Sequence, residues 1–139
     1  MPAPAYFDTS ALVKLYLQES CSREVGELYH QSDAVACHEI GFVEARAALA
    51  AAQRSGRINV EEHRRLVQDF IRDWDAGISP VSTNPLLLYR AAELAEGFAL
   101  RGYDAAHLAS AERIFRVVPS TIFLSFDVAL HAGNELQVP

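Results

Sequence analysis

"AYFDTSALVKLY", residues 5–16, passes from a short apolar run into a helical pattern through a single aspartate. Ala5, Tyr6 and Phe7 read as a buried strand, and from Ser10 onward Leu12, Val13, Tyr16 and Leu17 keep helical spacing. Asp8 therefore ends a strand. It is either a turn residue, a role aspartate favours, or one wall of a site whose other walls lie far along the chain. Ser10 is available to cap the helix that follows.

Working outward, the strand-then-helix pattern recurs. Helices are expected over about 10–18 and 21–30, then a strand over 34–37 and a long helix over about 38–55 that stops at Gly56. A helix over about 60–76 ends at Gly77, and a strand follows over 78–82. Pro85 suits the first turn of the next helix, which is expected to run to Gly102. A helix over about 104–116 then leads to an apolar strand over 121–126 and a short helix from Asp127 to about Ala132. Short buried strands alternating with helices predict an α/β fold with a mostly parallel sheet. Ligands of such sheets bind outside the carboxyl ends of the strands. Asp8 and Asp127 both fall at that kind of position.

A chain of 139 residues suits a single domain spanning 1–139. With 50% hydrophobic and 22% charged residues it has the composition of a globular protein rather than a disordered one. Residues 1–5 carry no basic residue and no long apolar run follows, so no signal peptide, no membrane span and a cytoplasmic location are expected. Cys21 and Cys37 lie far apart without a CxxC pattern, which predicts two buried, reduced thiols. The net charge of −6 argues against a broad nucleic-acid-binding surface, unless several acids converge on a pocket that holds a divalent cation. Of twelve basic residues only Lys14 is lysine, and the arginine fork suits phosphate.

Four acids sit where surface acids are not expected. In "HEIGFVEARAALAAAQ", residues 38–53, Ile40, Val43, Ala47 and Ala51 form an apolar stripe opposite Glu39, Arg46 and Gln53. Glu44 falls among the apolar residues, about 160° round from Arg46. A boundary position or a buried arginine pair would also explain it, since carboxylates are seldom buried unpaired. In "YDAAHLASAERIF", residues 103–115, Asp104 heads the stripe of Leu108, Ala111 and Phe115, although aspartate is equally a helix cap. His107 faces the same region and reads as a core histidine outside the site. Asp127 follows "TIFLSF", where capping a short helix is the simplest role. Glu19, Glu24, Glu27, Glu61, Glu62, Glu93 and Glu96 lie on polar faces and read as solvated. Four converging carboxylates repel one another unless a cation intervenes. An all-oxygen set favours Mg²⁺ or Mn²⁺, and such a site suits the hydrolysis of phosphate esters.

These segments resemble the motifs of the PIN domain family, and within it the VapC-type toxins. "YFDTSALVKLY" is similar to the opening motif, with its acid at Asp8 and hydroxyls at Thr9 and Ser10; "EIGFVEARAAL" is similar to the second, with Glu44. "YDAAHLASA" resembles the third, with Asp104, and "FLSFDVAL" the fourth, with Ser125 where threonine is commoner and Asp127 two residues later. The ordered quartet spans residues 6–130. The resemblance implies a PIN-like three-layer α/β/α sandwich and a Mg²⁺- or Mn²⁺-dependent endoribonuclease acting on single-stranded or looped RNA, such as tRNA, rRNA or mRNA. The products would carry a 5′-phosphate and a 3′-hydroxyl. It implies Asp8 and Asp104 as primary metal ligands, Glu44 and Asp127 as secondary ones or acting through water, and Ser10 and Ser125 in support. It also implies a homodimer and a cognate antitoxin whose tail enters the acidic cleft, and a pocket of that charge would attract an arginine from it. Arg46 and Arg101 are candidate RNA contacts. A PIN-type RNA-processing nuclease without an antitoxin and a non-catalytic PIN-like binding module are the alternatives.

Overall fold

Alternation along the first strand sorts the helices into two layers. The structure is a computed structural model and describes residues 3–127. In β1 (Ala5–Phe7) all three residues are buried, and side chains alternate between the faces of a strand. Ala5 and Phe7 pack with Ala11 and Val25, while Tyr6 packs with Ala36 and Ala111 on the other side. The first face carries α1 (Thr9–Leu12), α2 (Ser22–Gln31), α3 (Ile40–Arg54) and α4 (Val60–Gly77); the second carries α5 (Pro85–Phe98) and α6 (Gly102–Val117). Between them lies a four-stranded sheet of β1, β2 (Val35–His38), β3 (Ile78–Val81) and β4 (Ile122–Leu124). Every pairing is parallel and the order is β3-β2-β1-β4. This is the α/β/α sandwich expected from the sequence. Strands buried on both faces explain why "AYF" and "VACH" read as unbroken buried runs.

The strand order reverses at β1, whose neighbours are β2 on one side and β4 on the other. The crevice at the carboxyl end of that switch point is where such sheets bind ligands. Asp8 follows β1 and Ser125 follows β4 there, with the Asp8 amide donating to the Leu124 carbonyl (3.2 Å).

Several local expectations need correction. The helix expected over 10–18 is one turn, Thr9–Leu12, tightening into a 3₁₀ turn over Val13–Leu15. Tyr16 leaves the helical path to reach α4, where its ring meets Phe70 (5.4 Å) and its hydroxyl donates to Asp73 (2.7 Å). α5 ends at Phe98 rather than Gly102, because Ala99 takes the left-handed conformation (φ 54°) and Leu100 turns back to bond the Ala95 carbonyl. That turn buries Leu100 between α5 and α6. β4 is shorter than expected, and the helix expected from Asp127 lies outside the described residues. Cys37 is buried but Cys21 is exposed, at a left-handed position (φ 70°) that opens α2. No helix among the described residues is long and apolar enough to cross a membrane.

The largest correction concerns α3. Its buried face is Gly41, Ala45, Leu49 and Ala52, whereas Val43 is 59% exposed and Ala47 and Ala51 face outward. An alanine-rich helix offers two apolar stripes, and periodicity alone cannot choose between them. Packing decides: Gly41 fits against the Cys37 thiol, and Phe42 stacks on Phe70 (5.5 Å) and meets Trp74 (5.5 Å). Glu44 thereby sits at the boundary of the buried face rather than inside a stripe.

Candidate active site

The site is built from strand ends on one wall and helices on the other. On the strand wall, Asp8 is 3% exposed and does two jobs. Its extended backbone (φ −78°, ψ 177°) and side chain cap α1, with Oδ1 accepting from the Ala11 amide (3.1 Å). Asp8, not Ser10, is therefore the cap. Ser10 Oγ donates to the same Oδ1 (2.6 Å), and Ser125 Oγ donates to Oδ2 (2.6 Å). Ser125 Oγ in turn accepts from the Asp127 amide (3.0 Å), and Ser10 Oγ accepts from the Phe126 amide (2.8 Å). Two hydroxyls thus stitch the segment after β4 to the start of α1. Burial raises the Asp8 carboxyl above its ordinary value, even though the Ser10 and Ser125 bonds pull the other way.

On the helical wall, Glu44 Oε1 accepts from Thr9 Oγ1 (2.7 Å) and pairs with His107 Nε2 (2.7 Å). Burial pushes the Glu44 carboxyl up, but the His107 and Thr9 bonds outweigh it and hold the group below its usual range. His107 is 2% exposed, and its Nδ1 meets the fully buried Tyr6 hydroxyl (2.6 Å). Asp104 lies in the first turn of α6, where a carboxylate suits the helix dipole, but the N-cap is Arg101. Arg101 donates from Nε to Asp104 Oδ2 (3.1 Å), and its Nη2 lies 3.8 Å from Asp127 Oδ2.

The four acids predicted from sequence are thus linked at one end of the sheet. Asp8 reaches Asp127 through Ser125, Asp127 reaches Asp104 through Arg101, and Thr9, beside Asp8, holds Glu44. Glu44 and Asp104 line a cleft of about 680 Å³ with His38, Leu87, Arg101 and Tyr103, whereas Asp8 and Asp127 do not line it. Among the described residues no three His, Cys, Asp or Glu side chains stand close enough to hold an ion as they are. The donors are carboxylate and hydroxyl oxygens, the chemistry that suits a hard cation. Arg101 now supplies the positive charge between Asp104 and Asp127.

Sequence reasoning set His107 outside the site as a core histidine and missed Tyr6. The available signal was the placement of His107 one turn after Asp104 on the same buried face. Of the two arginines singled out, Arg101 lies on the acids, while Arg46 sits over the Phe42 ring (5.7 Å) beside the aromatic cluster of α3 and α4.

Comparison with known proteins finds a family and relatives that match nearly the whole chain. The sequence profile of the PIN domain family matches residues 5–127. Ribonuclease VapC45 and Ribonuclease VapC49, both of Mycobacterium tuberculosis, are each 37% identical to this chain over 131 residues, covering 92% of it and 87% of the relative.

Proposed function

The chain belongs to the PIN domain family and stands with its VapC-type ribonucleases, and on that premise we propose that it is an endoribonuclease toxin of a toxin–antitoxin pair. The proposal takes in a single domain over 1–139, a cytoplasmic location, a homodimer, an RNA substrate that is single-stranded or looped, and a cognate antitoxin. Mg²⁺ or Mn²⁺ is the proposed cofactor, with Asp8 and Asp104 as primary ligands and Glu44 and Asp127 as secondary ones. The observation that carries this reading is the run of acids from four distant segments, linked at the switch point of the sheet by hydrogen bonds through Ser125, Thr9 and Arg101 and by a 3.8 Å ion pair from Arg101 to Asp127.

When bound, a hard divalent cation supplies the charge that activates water and offsets the negative charge of the phosphate. The protein's own groups do the rest. Ser10, Ser125 and the Ala11 amide fix both oxygens of Asp8, so its carboxylate does not swing between rotamers. Glu44 is kept anionic by two donors on one oxygen. Arg101, with its side chain 81% exposed, can leave the acids and turn its fork to an RNA phosphate or yield to an antitoxin arginine. Excess acid at the cleft fits a basic inhibitor better than bare RNA, in keeping with the net charge of −6.

The test is expression in a bacterial host. Wild-type protein should arrest growth and leave cleaved RNA with 5′-phosphate ends, and Asp8→Asn should relieve both. Unimpaired growth with intact RNA in the wild type would remove the toxin reading.

A further inference from the structure

The mechanism above uses Glu44 but leaves unexplained the buried histidine that holds it. An ionised Glu44 can only accept, so His107 Nε2, at 2.7 Å, is the donor. The other ring nitrogen faces Tyr6 Oη at 2.6 Å. In a neutral ring a proton on Nε2 leaves Nδ1 as an acceptor, so Tyr6 Oη donates its phenolic proton there while accepting the backbone amide of His38 (2.9 Å). For a neutral ring the bonds assign one tautomer, with the proton on Nε2 and a bare Nδ1. His38 is fixed in the same way: its Nδ1 accepts the Ile40 amide (3.0 Å), so Nε2 donates to Thr83 Oγ1 (2.8 Å). Tyr6, His107 and Thr9 come from β1, α6 and the first turn of α1, so the carboxylate is aligned by three separate elements.

The result at Glu44 is asymmetric. Oε1 takes both the Thr9 and the His107 bonds, and Oε2 takes no hydrogen bond from the described residues. Glu44 lines the cleft, and Oε2 is its oxygen without a hydrogen bond among the described residues. We propose that His107, locked by Tyr6, is a positioning residue that occupies Oε1 of Glu44 and presents Oε2 alone to the divalent cation or its hydration water. The proposal rests on the metal-site reading given above. Histidines and carboxylates that orient ligands in this way commonly change metal affinity by about 10–100-fold when removed. It also gives the "DAAHLA" segment a second role beside Asp104, since one turn of α6 carries both an acid and the group that aims another.

The test is Mn²⁺ binding by titration calorimetry on folded, purified protein, with wild type beside His107→Leu, His107→Gln and Tyr6→Phe. Glutamine retains an N–H near the Nε2 position, whereas leucine matches the volume and lacks the donor. The expected order is wild type tightest, His107→Gln next, and His107→Leu weaker than wild type by about tenfold or more. Tyr6→Phe should fall between and keeps the comparison if His107→Leu does not fold. A packing role predicts the reverse, with leucine binding at least as well as glutamine, and that result would overturn the proposal. A wild type that binds no Mn²⁺ removes the metal reading instead. The positioning claim is then decided by long-range ¹H–¹⁵N correlation spectra of His107. A protonated Nε2 with a bare Nδ1, lost in Tyr6→Phe, supports it, and the opposite tautomer in wild type overturns it.

Discussion

Asp8 and Glu44 stand one residue and one hydrogen bond apart, through Thr9, yet their surroundings push them in opposite directions. Asp8 has three donors on its two oxygens and is still raised, because burial at the end of β1 dominates. Glu44 is also pushed up by burial but is lowered overall, because two donors on one oxygen, one of them an imidazole held in place by Tyr6, outweigh it. The strand wall therefore carries a carboxylate whose charge is a burden on the fold. The helical wall carries one whose charge supports it. Titratable pairs driven apart in this way mark sites where charge is put to work rather than merely tolerated.

The comparison breaks most visibly in activity. Asp8→Asn and Glu44→Gln should each reduce single-turnover cleavage of a labelled RNA by about a hundredfold or more, the scale of a lost acid, base or ligand. Loss in one variant alone would show that only one wall is used. Next in size is Gly41→Ala. A Cβ there would meet the Cys37 thiol, on the face of α3 one turn before Glu44. Alanine normally stabilises a helix interior, but this overpacking should cost about 1–3 kcal/mol by urea denaturation. Gly97 in α5 has nothing within 4 Å of the same atom, so Gly97→Ala should instead stabilise, by about 0.5–1 kcal/mol.

The two acids should differ in sign when stability is measured. Glu44→Gln exchanges a charge-assisted pair for a neutral one and should cost about 1 kcal/mol. Asp8→Asn removes a buried charge and should raise the melting temperature of the metal-free protein by a few degrees, even as cleavage is lost. The pH dependence follows. A carboxyl raised in the fold binds more protons folded than unfolded, so its contribution is complete below the ordinary value of 3.8 and declines as pH rises through the folded value. Glu44 runs the other way, contributing above 4.5 and losing it as pH falls through its lowered value. Thermal melts across pH 3–7 should show a shallower loss toward neutral pH in Asp8→Asn. An Asp8→Asn protein less stable than wild type at pH 7 would contradict the account of the strand wall.

Much of this was readable before any coordinates. The buried "AYF" strand, the parallel sheet and the strand-end acids follow from short apolar runs punctuated by Asp, Gly and Pro. The ordered motifs around Asp8, Glu44, Asp104 and Asp127 resemble those of the family whose profile matches the chain. The face of α3 was not readable, because both candidate stripes are apolar and only Cys37 and Phe70 choose between them. Nor was the end of α5, since Ala99 gives no local hint that it will adopt a left-handed conformation. His107 was legible in part: its buried position was clear, but a buried histidine declares no partner until Tyr6 and Glu44, 101 and 63 residues away, are brought to it.

The central claim is that the four linked acids form a cation-dependent ribonuclease site. Its most direct measurement is cleavage of a labelled single-stranded RNA by purified protein in Mg²⁺ and in EDTA, with Asp104→Asn alongside. The account predicts cutting by the wild type in Mg²⁺ only, and none by the variant. Equal cutting by both proteins, or undiminished cutting in EDTA, would contradict it.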